Sequence, residues 1–348
     1  MGKKLSAFNQ RVLIWFDQYG RKDLPWQQNP TPYRVWISEI MLQQTQVVTV
    51  IPYYQKFMQR FSSLKKLASA DIDEVLQYWQ GLGYYARARN LHKTSMLIGE
   101  QYKGRFPRQL DLVLNLPGIG RSTAGAILSL SSGQKHAILD GNVKRVLARH
   151  NAIREWTGNN KVLELLWDIS EQHTPEARTR DYNQAMMDLG ATLCTRSKPR
   201  CNDCPLQDDC QALAENCVSQ LPVPKPKREL PVRETLMLVI QKEEHVLLEK
   251  RPPSGIWGGL WSLPECSAEA EIQHFCEKQG LGIKQQQFLH PWHHTFSHYR
   301  LNVKPVSIQA DMVHDHISES GRFEWVNLAK PGKRGLAASV QKVKKTLL

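Results

Sequence analysis

The sequence lacks any stretch suited to a membrane. The apolar run Val12 to Phe16 is far shorter than the roughly 20 residues a helical span needs, and no cleavage pattern follows it. It also lacks the even cysteine count of a disulfide framework: there are 7 cysteines, and without a secretory signal a disulfide scaffold is excluded. Internal repeats and low-complexity segments are absent as well. These absences lead to the expectation of a cytoplasmic protein. The opening Met1 to Ser6 fits a loose myristoylation pattern that matches too often by chance to assign acylation. Acidic residues are scarce relative to basic ones, 33 against 46, which leaves a formal charge of +13. The surplus is uneven, +10 through Glu234 and +3 beyond it. A basic surface of this kind attracts polyanions through counterion release, so nucleic acid is the leading partner class.

One dense group of residues stands against those absences. Cys194, Cys201, Cys204 and Cys210 follow each other at six, two and five intervening residues. Four soft thiolates brought together by short loops suit a tetrahedral zinc ion or a four-iron cluster, and spacing alone leaves both open. Cys217, Cys266 and Cys276 are expected to be buried thiols.

At 348 residues the chain is long enough for two domains. From Leu5 to about Glu215, amphipathic helical stretches alternate with short Gly, Pro or Asn breaks, which predicts a mainly α domain over 1–221. Pro222, Pro224, Pro226 and Pro231, mixed with Lys225, Lys227 and Arg228, predict an extended linker over 222–233. Short apolar runs at Thr235 to Ile240, Val246 to Leu248 and Leu301 to Ile308 predict strands in a smaller α+β domain over 234–348.

Leu116-Pro117-Gly118-Ile119-Gly120 joins an apolar helical stretch ending near Leu114 to a helix expected from about Arg121 through Leu130. Gly118 and Gly120 let the backbone come close to a phosphate, and the N–H groups that open the second helix point at it. Such a turn suits a grip on DNA that does not read its sequence, although the five residues by themselves fit an ordinary helical turn better. Asp140 stands before Gly141-Asn142-Val143-Lys144-Arg145, an evident helix start. An aspartate there is an N-cap, and its N–H donors with the helix dipole are expected to keep the carboxylate ionised. Hairpin, downstream aspartate and cysteine array, in this order, resemble the endonuclease III superfamily of DNA glycosylases from about residue 5 to residue 215. The resemblance implies a helix-hairpin-helix fold and one [4Fe-4S] cluster, not zinc, on Cys194, Cys201, Cys204 and Cys210. It also implies that the cluster braces a basic loop, with Arg196, Lys198 and Arg200, against DNA phosphates.

Lyase-active members of that superfamily carry a catalytic lysine on the second hairpin helix, where this chain has Ser122. A serine cannot form the Schiff base that opens the sugar, so hydrolysis by water is expected. Lys144 is expected to face phosphate, with contact to an opened sugar as a secondary role. Helical spacing places Glu39 beside Val35, Trp36 and Leu42, on an apolar stripe that should raise its pKa. A neutral carboxyl beside an ionised one is the pair that cleavage at a nucleoside demands, one to protonate the leaving base and one to stabilise the sugar cation.

The segments Glu39 to Gln46 and Gly81 to Asn90 resemble the MutY-type adenine DNA glycosylases. By that resemblance Glu39 protonates a ring nitrogen of a flipped adenine and Asp140 stabilises the sugar. Ser122 and Asn142 orient water and Asp140, while Gln44 and Tyr84 intrude into the duplex beside the opposing lesion. Such wedges offset the cost of extruding the base.

In the second domain Gly259, Glu265, Glu277 and Gly280 keep the frame of a Nudix signature. Gln273, His274 and Lys278 stand where that frame needs Arg, Glu and Glu, so most magnesium-binding carboxylates are lost and pyrophosphate hydrolysis is not expected. The group His293 to His298 lacks a four-ligand zinc set. By the resemblance, Phe296, Ser297 and His298 form the loop that inspects 8-oxoguanine. The expectation is a monomeric, two-domain repair enzyme of the cytoplasm and nucleoid, acting on double-stranded DNA to remove adenine opposite 8-oxoguanine or guanine. Two alternatives stand beside it: a related glycosylase for another mismatched base such as thymine, and a non-enzymatic iron–sulfur protein that binds DNA and carries electrons.

Overall fold

A computed structural model of the chain describes residues 7–226, 229–313 and 321–347. The amino-terminal residues weighed for acylation, and Lys227 and Arg228 of the expected linker, lie outside the described residues. In chain order the helices are α1 (Ala7–Tyr19), α2 (Pro32–Leu42), α3 (Val47–Arg60), α4 (Leu64–Ala68), α5 (Ile72–Trp79), α6 (Ala86–Gln101), α7 (Leu110–Leu114), α8 (Arg121–Ser132), α9 (Gly141–His150), α10 (Asn160–His173), α11 (Thr179–Thr192), α12 (Gln211–Ala214), α13 (Ala270–Lys278) and α14 (Ala338–Leu347). The strands are β1 (Val232–Lys242), β2 (His245–Lys250), β3 (Trp261–Ser262), β4 (Glu265–Cys266), β5 (Leu281–Phe288), β6 (Trp292–Thr295), β7 (Arg300–Met312) and β8 (Phe323–Asn327). No helix among the described residues is long and apolar enough to cross a membrane.

The chain divides into two compact units, residues 1–69 with 90–226, and residues 70–89 with 227–348. This departs from the expected bounds in two respects. The division after the helical region falls at 226 instead of 221, and residues 70–89 gather with the carboxy-terminal residues. The cause of the second is specific: Asp73 Oδ2 accepts from Lys250 Nζ at 2.9 Å and from Trp261 Nε1 at 3.3 Å.

In the first unit the helix ends follow from local chemistry. Thr31 caps α2 by accepting the Arg34 N–H at 3.2 Å, with Pro32 as the first helical residue. Gly133 closes α8 in the left-handed region at φ 71, where a Cβ is strained. Val12, Trp36, Phe57, Ile127, Leu147 and Leu189 are all fully buried, and burying side chains of this size stabilises by about 1.5–3 kcal/mol each. Helix α2 packs on α8, and α9 packs on α11. These contacts carry the end of α2 and the starts of α8 and α9 to a common place.

The second unit is built on an eight-stranded mixed sheet with the order β3-β2-β1-β7-β5 and with β4, β6 and β8 paired on β1, β7 and β2. Strands β1 and β7 run parallel from the pair Val232 and Arg300 to the pair Gln241 and Gln309. Thr235 to Ile240 of β1 are buried without a break, which is why this central strand reads as a continuous run and not as an alternation. Helix α13 packs beside β5, and Leu238, Ile240, Leu247, Ile272, Val306 and Ile308 belong to the same core.

Candidate active site

An open cleft of about 950 Å³ in the first unit is lined by the end of α2, the turn after it, the starts of α8 and α9, and one face of α11. Glu39, Ser122, Asp140 and Asn142 all line it. Asp140 is the N-cap of α9: its Oδ1 accepts from the N–H groups of Asn142 at 3.1 Å and Val143 at 2.8 Å, and its Oδ2 from Asn142 Nδ2 at 3.1 Å. Ser122 Oγ accepts the Leu139 N–H at 2.9 Å, which fixes the backbone immediately before that cap.

The two carboxyls sit in different surroundings. Burial pushes the Glu39 carboxyl up to about 8, and the nearby charge of Asp140 adds to the effect. Asp140 is also raised, because burial outweighs its backbone donors, Arg145 and Asn142. The sequence shows the cap donors that favour the ionised carboxylate of Asp140, and the structure adds an opposing desolvation. Asp140 is still the member surrounded by N–H groups, so the negative charge of the pair belongs there, and Glu39 carries the proton.

Arg145 escaped notice in the sequence, where it looks like one more basic residue of a helix. Its Nη2 donates to Asn142 Oδ1 at 2.8 Å and to the Gly190 carbonyl at 2.7 Å, and its Nε to the Cys194 carbonyl at 2.7 Å. One guanidinium thereby joins the residue that steadies Asp140 to the backbone of the first cysteine. Gly190 permits this closeness, since a Cβ there would meet Asn142 Cβ at 2.6 Å. Asp188, fully buried, was missed for the same reason of distance in sequence. It accepts from Arg21 N at 2.8 Å, Arg21 Nε at 2.9 Å and Gln184 Nε2 at 2.9 Å, and both Arg21 and Gln184 line the cleft.

Gln44 lines the cleft in a left-handed conformation, φ 57, and is exposed. Only a few per cent of non-glycine residues adopt this conformation. In the hairpin between α7 and α8, Gly118 has φ 79, and a Cβ there would meet Asn90 Cβ at 2.9 Å. Gly120 is extended at φ −91 and caps α8, which runs two residues beyond its expected end at Leu130. Lys144 is half-buried beside Asp140, with its pKa lowered by burial. It does not line the cleft.

Cys194, Cys201, Cys204 and Cys210 form no disulfide and line one small cavity. Burial raises the thiol of Cys204 to about 12, with Cys194, Cys210 and Cys201 each adding to the shift, so all four lie within electrostatic reach of one another. Arg149 is buried and donates its Nη1 to Cys194 Sγ at 3.3 Å and to the Thr195 carbonyl at 2.7 Å. No set of three or more His, Cys, Asp or Glu side chains among the described residues is gathered to hold a single metal ion. Of the basic loop, Arg196 lines the cleft, Lys198 and Arg200 are not part of it, and Arg200 lies 3.7 Å from Asp203.

Tyr84 lies in the second unit, half-exposed at 52% and left-handed at φ 48. The same unit holds the turn after β6, where the Phe296 N–H donates to the Tyr299 carbonyl at 2.9 Å and Ser297 Oγ lies 3.4 Å from His298 Nδ1. Ser297 and His298 are exposed. Of the Nudix frame, Glu265 lies 3.1 Å from Arg251.

Residues 37–172 match the family described as HhH-GPD superfamily base excision DNA repair protein, and residues 235–346 match the NUDIX domain. The chain is 41% identical over 336 residues to the adenine DNA glycosylase of Buchnera aphidicola subsp. Acyrthosiphon pisum, covering 97% of this chain and 96% of that protein. It is 35% identical over 363 residues to the adenine DNA glycosylase of Homo sapiens, covering 86% and 66%. Among solved structures, a thermostable thymine-DNA glycosylase aligns with TM-score 0.53 at 28% identity, over 60% of this chain and 95% of that one. An endonuclease III bound to DNA aligns at TM-score 0.52 and 22% identity, over 61% of this chain and 99% of that one, a likeness of fold.

Proposed function

The chain belongs to the adenine DNA glycosylase family, and from that premise we propose that its first unit removes adenine opposite 8-oxoguanine or guanine while its second unit inspects the opposing base. It is a base-excision repair glycosylase, a hydrolase of N-glycosyl bonds, and it binds DNA. One observation carries the assignment of roles: Glu39, its pKa raised by burial, and a donor-ringed Asp140 line the same cleft.

Glu39, neutral at physiological pH, donates its proton to a ring nitrogen of the extruded adenine and so turns the base into a neutral leaving group. Asp140 faces the positive charge that develops on the sugar, held ionised by the Asn142 and Val143 N–H groups. Ser122 and Asn142 fix the backbone and the carboxylate of that residue, and water completes the hydrolysis. With serine at position 122, no Schiff base forms there. Gln44 and Tyr84 act as wedges in the duplex, Gly118 and Gly120 approach a phosphate, and Lys144, Arg196, Lys198 and Arg200 hold the backbone. Phe296, Ser297 and His298 stack on and bond to the edge of 8-oxoguanine. The enzyme acts as a monomer at the nucleoid, its first unit serving catalysis and its second unit, which includes residues 70–89, serving lesion recognition.

The four cysteines fit a [4Fe-4S] cluster: they surround one cavity, their thiols interact, and Arg149 directs an N–H at Cys194 Sγ. Bound there, the cluster supplies a rigid anionic core that organises the loop carrying Arg196, Lys198 and Arg200. Single-turnover excision from an A:8-oxoguanine duplex by the wild type and Asp140→Asn tests the pair. Retention of more than about a tenth of the rate in Asp140→Asn would remove Asp140 from the chemistry.

A further inference from the structure

The turn that presents Tyr84 is stiff. Gly81 at φ 100 and Gly83 at φ 72 lead into it, and buried Trp79 donates Nε1 to the Gly83 carbonyl at 3.2 Å. Arg87 Nη2 donates to the carbonyls of Leu82 and Gly83 at 3.2 Å each, with its guanidinium 5.5 Å from the Tyr84 ring centre. The Gly81 N–H donates to Tyr85 Oη at 3.3 Å. Such bracing holds a residue in a strained conformation that a loose loop would relax.

Both flanks of this turn are pinned within the second unit. On the near side, Asp73 takes the Lys250 and Trp261 hydrogen bonds, and its side chain is only 17% exposed. Gln77 Nε2 donates to the Gly332 carbonyl at 2.9 Å, and Gln80 Oε1 accepts the Leu336 N–H at 3.2 Å. On the far side, Arg89 Nη1 donates to the Gly258 carbonyl at 2.5 Å. Leu76 fills the space at Gly335 so fully that a Cβ there would meet Leu76 Cβ at 2.8 Å. A stretch that lies in sequence amid the helical region is thus fastened to the sheet whose β6 and β7 frame Phe296, Ser297 and His298.

We propose that Asp73, through Lys250 and Trp261, is a positioning residue that makes the Tyr84 wedge and the Phe296–His298 loop parts of one rigid body. The wedge is then seated only where that loop accepts the opposing base, and the preference for 8-oxoguanine over guanine depends on the fastening. This inference rests on the reading of Tyr84 as a wedge and of the loop as a lesion reader. It goes beyond that reading in naming what couples the two.

The test uses the full-length, cluster-bearing enzyme with Asp73→Ala, Lys250→Ala, the double variant, and the milder Lys250→Met, each compared with Tyr84→Ala. Single-turnover excision at saturating enzyme is measured on A:8-oxoguanine and A:guanine duplexes. The single variants are expected to lower the ratio of the two rates by about tenfold, within the range for contacts that act together, chiefly by slowing A:8-oxoguanine. The double variant is expected to be no worse than Asp73→Ala, which by itself removes both the Lys250 and the Trp261 hydrogen bond. Tyr84→Ala is expected to lower both rates. If Tyr84→Ala slows excision while the Asp73 and Lys250 variants leave the ratio unchanged or lower both rates equally, the coupling is refuted and the wedge reading stands. If Tyr84→Ala changes neither rate, the wedge reading fails and the inference falls with it.

Discussion

Replacing Glu39 by Gln separates proton donation from every other feature of the cleft. Burial holds the Glu39 carboxyl at about 8, so at pH 7 about 90% of the enzyme carries the donor proton, and at pH 9 about 10% does. Single-turnover excision by the wild type should therefore fall about tenfold between pH 7 and pH 9, with unit slope above pH 8. A glutamine has no proton to give: the variant is expected to be slower by roughly two to four orders of magnitude and flat over the same range. The folded state of the wild type also binds this proton more tightly than the unfolded chain, whose carboxyl titrates near 4.5. The stabilisation conferred by protonated Glu39 is present below that value and is lost as pH rises toward 8, so Glu39→Gln should be the more stable protein by a few kcal/mol above pH 8. Quench-flow or gel-based excision across pH 6 to 10, with denaturant melts at both ends, reads all of this. A wild-type profile that stays level from pH 7 to 9, or a variant that keeps the alkaline fall, would refute Glu39 as the acid.

Other residues give sharper contrasts. Ser122→Lys should introduce an amine at the start of α8 and convert part of the activity to strand cleavage, seen as a borohydride-trapped covalent complex with DNA; the wild type should trap little. Arg145→Gln removes the guanidinium that joins Asn142, Gly190 and Cys194. It is expected to lower the single-turnover rate by about tenfold or more and to weaken iron retention, measured as visible absorbance per protein. Anaerobic removal of iron by a chelator should leave the catalytic pair in place but reduce DNA affinity, with a shallower salt dependence, when measured by anisotropy.

The sequence carried the fold where local chemistry is decisive. Gly118 and Gly120, the Asp140 cap and the unbroken apolar run of β1 each report their own conformation, so the hairpin, the helix start and the central strand were legible. What stayed hidden depends on long-range closure. Arg145 reads as a solvated helix cation until Gly190 and Cys194 fold against it, and Asp188 reads as an ordinary helical acid until Arg21, far away in the chain, supplies its partner. The same holds for residues 70–89, whose helical pattern says nothing about the Lys250 and Trp261 that claim Asp73. For Asp140 the cap donors are local and visible in sequence, whereas the desolvation that raises its pKa comes from the closed cleft and is not.

The central claim, that Glu39 and Asp140 act together on the glycosidic bond of a mispaired adenine, is tested most directly by one measurement. Duplexes carrying adenine opposite 8-oxoguanine, adenine opposite guanine, and thymine opposite guanine are incubated with excess enzyme and then treated with alkali. The expected result is cutting at adenine in the first two, abolished by Glu39→Gln and by Asp140→Asn, and none at thymine. Cutting at thymine but not at adenine, or undiminished cutting at adenine by either variant, would contradict it.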